Sequence, residues 1–421
     1  MPEGPHIVVF TTLFPNAAQP GAGVFIRERM FRVARVLPLM VVAPVPWFPF
    51  QGLIRLFRPH FRPVPPYREI QDGIEVLHPR FFSIPGIFKS LDGFFLALGT
   101  FSLLRVLQRK QQCDIIDSHF AYPEGYAASL LGRWLDLPFT VTLRGTESRL
   151  ARQPAFRKRM ALALHAAARV FSVSDSLRQL ALALGIPEAR TQVVGNGVDT
   201  LKFHAVGQAA ARARLGLPLA APVLISVGGL VERKGFHRVI DCLPALLENH
   251  PALHYLIVGG PSPDGDLGAQ LRALVAKLGL EKQVTFTGPV KSEELKTLLS
   301  AADVFVLATR NEGWANVFLE AMACGLPVVT TDVGGNAEVV CKPELGTIVP
   351  FDDQAALQQA LSAALEKQWD RGKIIAYAGE NAWDSRIAQL VEAFREIARH
   401  HITERAIMSP HSSHKESETC R

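Results

Sequence analysis

Cysteine is scarce in this chain of 421 residues: Cys113, Cys242, Cys324, Cys341 and Cys420 are scattered, with no C-x-x-C pair. Such an odd, dispersed set excludes a disulfide framework and a cysteine-based zinc site, and it points to a reducing compartment. Long apolar runs are also missing. Leu37–Phe50 is broken by four prolines and Phe94–Leu104 by a glycine, and both fall short of the about 20 residues that span a bilayer. No basic stretch followed by an apolar one opens the chain, because His6–Phe10 is only strand length before Thr11-Thr12. A signal peptide is therefore not expected. The dinucleotide fingerprint G-x-G-x-x-G fails as well: Gly21 and Gly23 are present, but Ile26 stands where the third glycine belongs, which argues against a nicotinamide dehydrogenase.

Charge is unevenly spread. The net +6 divides into +9 over the first 200 residues and −3 over the rest. A basic half suggests an anionic partner, for which an acidic membrane surface fits. A nucleic acid fits less well, because the excess lies partly in a proline-broken aromatic region with no recognisable binding module.

The 48% hydrophobic content is enough for two α/β cores. His6–Phe10, Leu39–Val45, Ile115–Ser118, Phe139–Leu143 and Val170–Val173 read as strands of one parallel sheet, separated by helical patterns. Val223–Val227, Tyr255–Val258, Val284–Phe286, Val304–Leu307, Pro327–Thr330 and Gly346–Val349 read as a second. Asn196-Gly197 marks a hinge at 195–205. The domains expected are 1–200 and 201–384, with a helix at about 385–400 packing back on the first and a disordered polar tail at 403–421. Residues 44–110 break the alternation, interleaving aromatics (Trp47-Phe48, Phe57, Phe61, Phe81-Phe82, Phe94-Phe95) with Arg55, Arg58 and Arg62. These side chains either close a core or acceptor groove or settle at a lipid interface, with the arginines on headgroups.

Glu312 and Glu320 carry the chemistry that is easiest to see. Asn311 and Gly313 signal a turn after Val304–Leu307, helix formers run from Ala315 to Cys324, and Gly325-Leu-Pro327 ends the helix. A helix start at the carboxyl edge of a parallel sheet seats a diphosphate. Glu312 lies in the loop at that mouth and Glu320 about two turns on, so two carboxylates can bracket one ligand and accept from the vicinal diols of a ribose and a pyranose.

Asn311–Thr330 closely resembles the donor-site signature of the retaining glycosyltransferases of family 4, E-G-x-x-N-x-x-x-E-A-M-A-C-G-x-P-V-V. The resemblance implies a GT-B fold, two Rossmann-like doubly wound parallel-sheet domains facing each other across a cleft. It also implies that Glu312 touches donor-sugar hydroxyls, that the Asn316 and Val317 amides face the diphosphate and that Glu320 holds the ribose. Val227–Gly235 is similar to the family's phosphate-binding loop. Lys234 matches, but Gly229 stands where the family has arginine, and Arg233 either replaces that cation or does not. Val284–Val290 resembles the strand and loop that meet the base, with Val290 at its end. In the first domain, Gly21 and Gly23 lie in a segment similar to the family's first loop, where glycine lets a ligand approach the backbone. His119 lies in a segment similar to one whose histidine nears the transferred sugar, and Arg144 and Glu147 resemble an R/H-G-T-D/E loop on the acceptor side.

The function implied is retaining transfer from a UDP- or GDP-sugar to a glycan or lipid-linked acceptor, in bacterial cell-surface polysaccharide or glycolipid synthesis. Fixed cations would stabilise the leaving diphosphate without a metal, and the enzyme would be cytoplasmic, peripheral at the inner face of the plasma membrane. A sugar-nucleotide 2-epimerase or hydrolase of the same fold, or a catalytically silent sugar-nucleotide-binding protein, are the alternatives. Asp264-Gly265-Asp266 matches the D-x-D of metal-dependent glycosyltransferases, but its turn-rich setting reads as a solvated loop.

Overall fold

The computed structural model describes residues 3–58, 61–262 and 265–408. The chain forms two compact units, one of Met1–Ser172, Leu180–Val194 and Ile387–Arg421, the other of Val173–Gln179 and Gly195–Arg386. Each is an α/β unit built on its own sheet.

The first unit has eight strands, ordered Thr191–Val193, Arg169–Ser172, Phe139–Leu143, Ile115–His119, Ile7–Phe10, Leu39–Val42, Ile74–Leu77 and Arg68–Gln71. All neighbours are parallel except the last pair. Ile7–Phe10 is buried at every position, as helices on both faces of a parallel sheet require. The final helix runs from Trp383 to Met408, so residues 403–408 are helical and not part of a polar tail. Within the first unit it sets Phe394 against Phe171, ring centroids 6.0 Å apart.

The irregular stretch 44–110 resolves into short elements. Val45–Trp47 pairs in parallel with Arg80–Phe82 as a separate ribbon, and Gln51–Phe57 is a two-turn helix. Asp72 and Gly73 both have positive φ, 48° and 80°, the requirement of a type I′ hairpin turn, and they join Arg68–Gln71 to Ile74–Leu77. Asp92–Arg109 is one continuous helix. With the preceding turn it is long and apolar enough to cross a membrane by length and composition, which the apolar run Phe94–Leu104 alone did not suggest. One face, with Leu96, Ala97, Thr100 and Leu104, is buried.

The second unit has six parallel strands, ordered Val284–Gly288, His254–Val258, Val223–Val227, Val304–Leu307, Val328–Thr331 and Gly346–Val349. Every run read as a strand is one. Alternate residues feed opposite cores: Val223, Ile225, Phe305 and Val328 on one face, Leu224, Val304, Val306 and Val329 on the other. This is the period of two that a strand imposes.

Candidate active site

The order of the second sheet reverses at Val223–Val227, flanked by His254–Val258 and Val304–Leu307. The carboxyl ends of Val223–Val227 and Val304–Leu307 therefore border the crevice where open α/β sheets bind ligands. From the first, the chain turns through Gly228-Gly229 into a single 3-10 turn, Glu232–Lys234; from the second it runs through Thr309 to Glu312. The two loops are tied together, because the Arg233 carbonyl accepts from the Arg310 amide at 2.7 Å and from Thr309 Oγ1 at 2.9 Å.

This tie brings Lys234 Nζ to 2.5 Å from Glu312 Oε1, with side-chain exposures of only 14% and 9%. The Arg233 guanidinium stands 3.5 Å from the same oxygen, and Thr309 Oγ1, whose one proton goes to the shorter bond with the Arg233 carbonyl, lies 3.3 Å from it. Residues expected to hold different parts of the donor, a carboxylate for the sugar and a cation for the diphosphate, neutralise one another here. Arg233 is brought to the same carboxylate. Gly229 has a steric reason, since a Cβ there would stand 2.8 Å from Cβ of Ser262; the position of the family arginine is already filled.

The helix Asn316–Ala323 follows directly. Its N-cap is Ala315, which offers no side-chain oxygen, so the first helical amides, those of Asn316 and Val317, lack both an intrahelical acceptor and a side-chain cap. The N-terminal end of the helix dipole thus stands in the same loop as Lys234 and Glu312. Asn316 Oδ1 accepts from Asn196 Nδ2 at 2.8 Å. Glu320 is half-buried, one turn beyond Asn316 and on its side of the helix. Val290 lies just past Val284–Gly288, an edge strand, half-buried against the core.

In the first unit the sheet order reverses between Ile7–Phe10 and Ile115–His119. His119 lies at that carboxyl edge, but its side chain is 0% exposed. Its Nδ1 accepts from Arg144 Nε at 3.0 Å and is 2.9 Å from Nη2. Arginine only donates, which leaves the proton on Nε2, 3.2 Å from Asp117 Oδ2 but off the hydrogen-bond axis. Burial, then the Arg144 charge, lowers the His119 pKa to about 4, so the ring is neutral at pH 7. Its lone pair is spent on holding Arg144, and a sugar cannot reach it in this conformation.

Arg144 is buried too and stacks over Phe25 at 5.1 Å. Burial, then the buried cation Arg29, lowers its pKa well below the ordinary value. Glu147 is fully buried and accepts from the amides of Ala121 at 3.0 Å, Arg144 at 3.1 Å and Gly145 at 2.8 Å. Both residues, expected on the acceptor side, stitch loops of the first unit together from inside. Gly23 likewise serves the fold. It is the left-handed N-cap of the helix Val24–Val33, and a Cβ there would meet the Leu13 carbonyl at 2.3 Å. Gly21 is exposed, with nothing within 4 Å of a built Cβ.

Sequence reasoning passed over Glu124. Its Oε1 accepts from Thr12 Oγ1 at 2.5 Å and from the Thr12 amide at 3.1 Å, joining the loops on either side of the switch point. Burial raises its pKa to about 7, against the pull of the Thr12 bonds. A charged residue in the otherwise apolar Phe120–Ala127 was the available signal. Thr309 carried no signal. Asp264 of the D-x-D lies outside the described residues, among which no group of three or more His, Cys, Asp and Glu could hold a metal ion.

Comparison with known proteins agrees with this architecture. Residues 207–382 match the model of the glycosyl transferases group 1, and residues 41–202 that of Glycosyltransferase Family 4. A D-inositol 3-phosphate glycosyltransferase of Corynebacterium urealyticum is 31% identical, over 78% of this chain and 82% of its own. TuaC of Bacillus subtilis, named as a teichuronic acid biosynthesis glycosyltransferase, is 28% identical over 86% of this chain and 90% of its own. Among solved structures, Anabaena HepE in complex with UDP superposes with a TM-score of 0.71 at 19% identity, over 93% of this chain and 99% of that one. The fold is GT-B, and the chain belongs to glycosyltransferase family 4. It is a glycosyltransferase that takes its sugar from a nucleotide sugar.

Proposed function

We propose that the donor is a UDP- or GDP-sugar held by the second unit, and that the sugar passes with retention to a glycan or lipid-linked acceptor in cell-surface polysaccharide or glycolipid synthesis. The observation that carries this reading is the Lys234–Glu312 pair beside the uncapped helix start at Asn316. A diphosphate on the Asn316 and Val317 amides draws Lys234 away from Glu312, and the freed carboxylate accepts from the sugar hydroxyls. Glu320 meets the ribose, and Val290 borders the base. The names of the relatives, and HepE solved with UDP and with UDP-glucose, support a nucleotide-sugar donor of this kind. Retention rests on the family alone.

The enzyme works at a lipid surface in this proposal. Phe50 and Phe57 are 81% and 87% exposed, Leu53 and Leu56 are also exposed, and exposed Arg58 follows them. An apolar face with a neighbouring cation suits an anionic interface. Arg55 and Arg62 contribute less, because they donate to the carbonyls of Phe61, Arg62 and Ser83.

The test is mass spectrometry and anomeric NMR of products from a panel of UDP- and GDP-sugars, with and without acceptor. Transfer with retained configuration is expected. Donor rearrangement without acceptor would instead identify an epimerase, and binding without turnover a silent binding protein.

A further inference from the structure

The turn Gly195-Asn196-Gly197 opens the long segment of the second unit, and it is held without slack. A Cβ on Gly195 would stand 2.9 Å from Cη2 of Trp314, and one on Gly197 would stand 2.7 Å from the Trp383 amide nitrogen. Carbon contacts ordinarily settle at about 3.5–4.0 Å, so neither glycine leaves room for a side chain. The Val198 amide, next along, donates to the Asn381 carbonyl at 3.1 Å. Between the two glycines Asn196 is buried, 3% exposed.

From this fixed place Asn196 Nδ2 donates to Asn316 Oδ1 at 2.8 Å. A carboxamide has an acceptor end and a donor end. The bond engages the acceptor end of Asn316 and leaves its Nδ2, for which no hydrogen bond is found among the described residues. Asn316 is half-buried, and its Nδ2 is not one of the sealed polar atoms without a partner, so it reaches solvent. Asn316 is also the first residue of the helix Asn316–Ala323, which has no side-chain cap. Side-chain and backbone donors thus belong to one residue at the positive end of the helix dipole. With the amide turned over, Oδ1 would take the place of Nδ2 and repel an anion.

We propose that Asn196 is a positioning residue of the donor site. By holding Asn316 Oδ1 it presents Asn316 Nδ2 as a side-chain donor to the diphosphate, and it touches no part of the donor itself. The inference rests on the nucleotide-sugar reading of this helix start. It adds a third donor to the Asn316 and Val317 amides, and a second residue that acts only through that donor. It also gives the asparagine of the turn a chemical task that a hinge alone does not require.

The test is isothermal titration calorimetry of the full chain at pH 8 with UDP and GDP, then with the nucleoside of whichever binds more tightly. Asn316→Ala removes the donor and should weaken the diphosphate about tenfold, the lower end for a hydrogen bond to a charged group, while leaving the nucleoside unchanged. Asn196→Asp only accepts at that position, so it should invert the Asn316 amide and weaken the diphosphate further than Asn316→Ala does. The double variant should return to the affinity of Asn316→Ala, because the inverted oxygen is gone. Wild-type affinity in Asn316→Ala would overturn the proposal, whether or not Asn196→Asp folds. So would a double variant as weak as Asn196→Asp, which would mark a charge acting directly on the ligand, or equal weakening of the nucleoside, which would mark a general distortion. Failure of the donor reading looks different: the wild type would then bind neither UDP nor GDP.

Discussion

Glu124→Gln should flatten the pH dependence of stability in the first unit. The Glu124 carboxyl is 2% exposed, and burial lifts its pKa from 4.5 to about 7. Thr12 satisfies Oε1, while Oε2 has no partner. The folded state therefore holds the proton more tightly than the unfolded chain. That contribution is complete below pH 4.5 and is lost as pH rises through 7. A shift of roughly 2.5 units at 1.36 kcal/mol each amounts to about 3 kcal/mol. Glutamine keeps an acceptor for Thr12 and puts an uncharged amide where the carboxyl would otherwise ionise, so the variant should gain on the wild type by up to about 3 kcal/mol between pH 5 and pH 8. The assay is hydrogen exchange of the helix Tyr126–Leu135 in a urea series at each pH, which reads the first unit by itself. Taking the difference between the two proteins cancels the other titrating groups. Parallel pH curves, or a variant that loses ground as pH rises, would refute the reasoning.

Lys234→Met should lower kcat on the order of 100-fold, the scale of removing one fixed donor from a leaving group, as steady-state kinetics would show. Gly229→Arg should not improve the enzyme by restoring the family cation; collision with Ser262 should cost about 1–3 kcal/mol of stability, seen as a lower Tm that Ser262→Gly recovers. Glu147→Ala strips the acceptor from three buried amides and should destabilise the first unit by about 3 kcal/mol, read by denaturant titration. Changing Phe50, Leu56 and Phe57 to serine should abolish co-sedimentation with anionic vesicles while leaving Tm in place, since these side chains are exposed.

The sheets were legible because a strand buried on both faces needs an unbroken apolar run, and runs such as Ile7–Phe10 and Val304–Leu307 supply it. The region 44–110 was not. Its strands are three or four residues long, too short to show a period, although Asp72-Gly73 held an unread hairpin signal. The donor loop was legible by type, since turn residues, helix formers and two glutamates follow one another in the chain. Sequence alone thus determined the two α/β sheets, the strand-loop-helix around Glu312 and the family, because these depend on patterns within a few tens of residues. Tertiary structure alone decided that Lys234 meets Glu312 across 78 positions and that His119, Arg144 and Glu147 turn inward. Such meetings depend on strand order and on how neighbouring loops pack, which local periodicity does not encode.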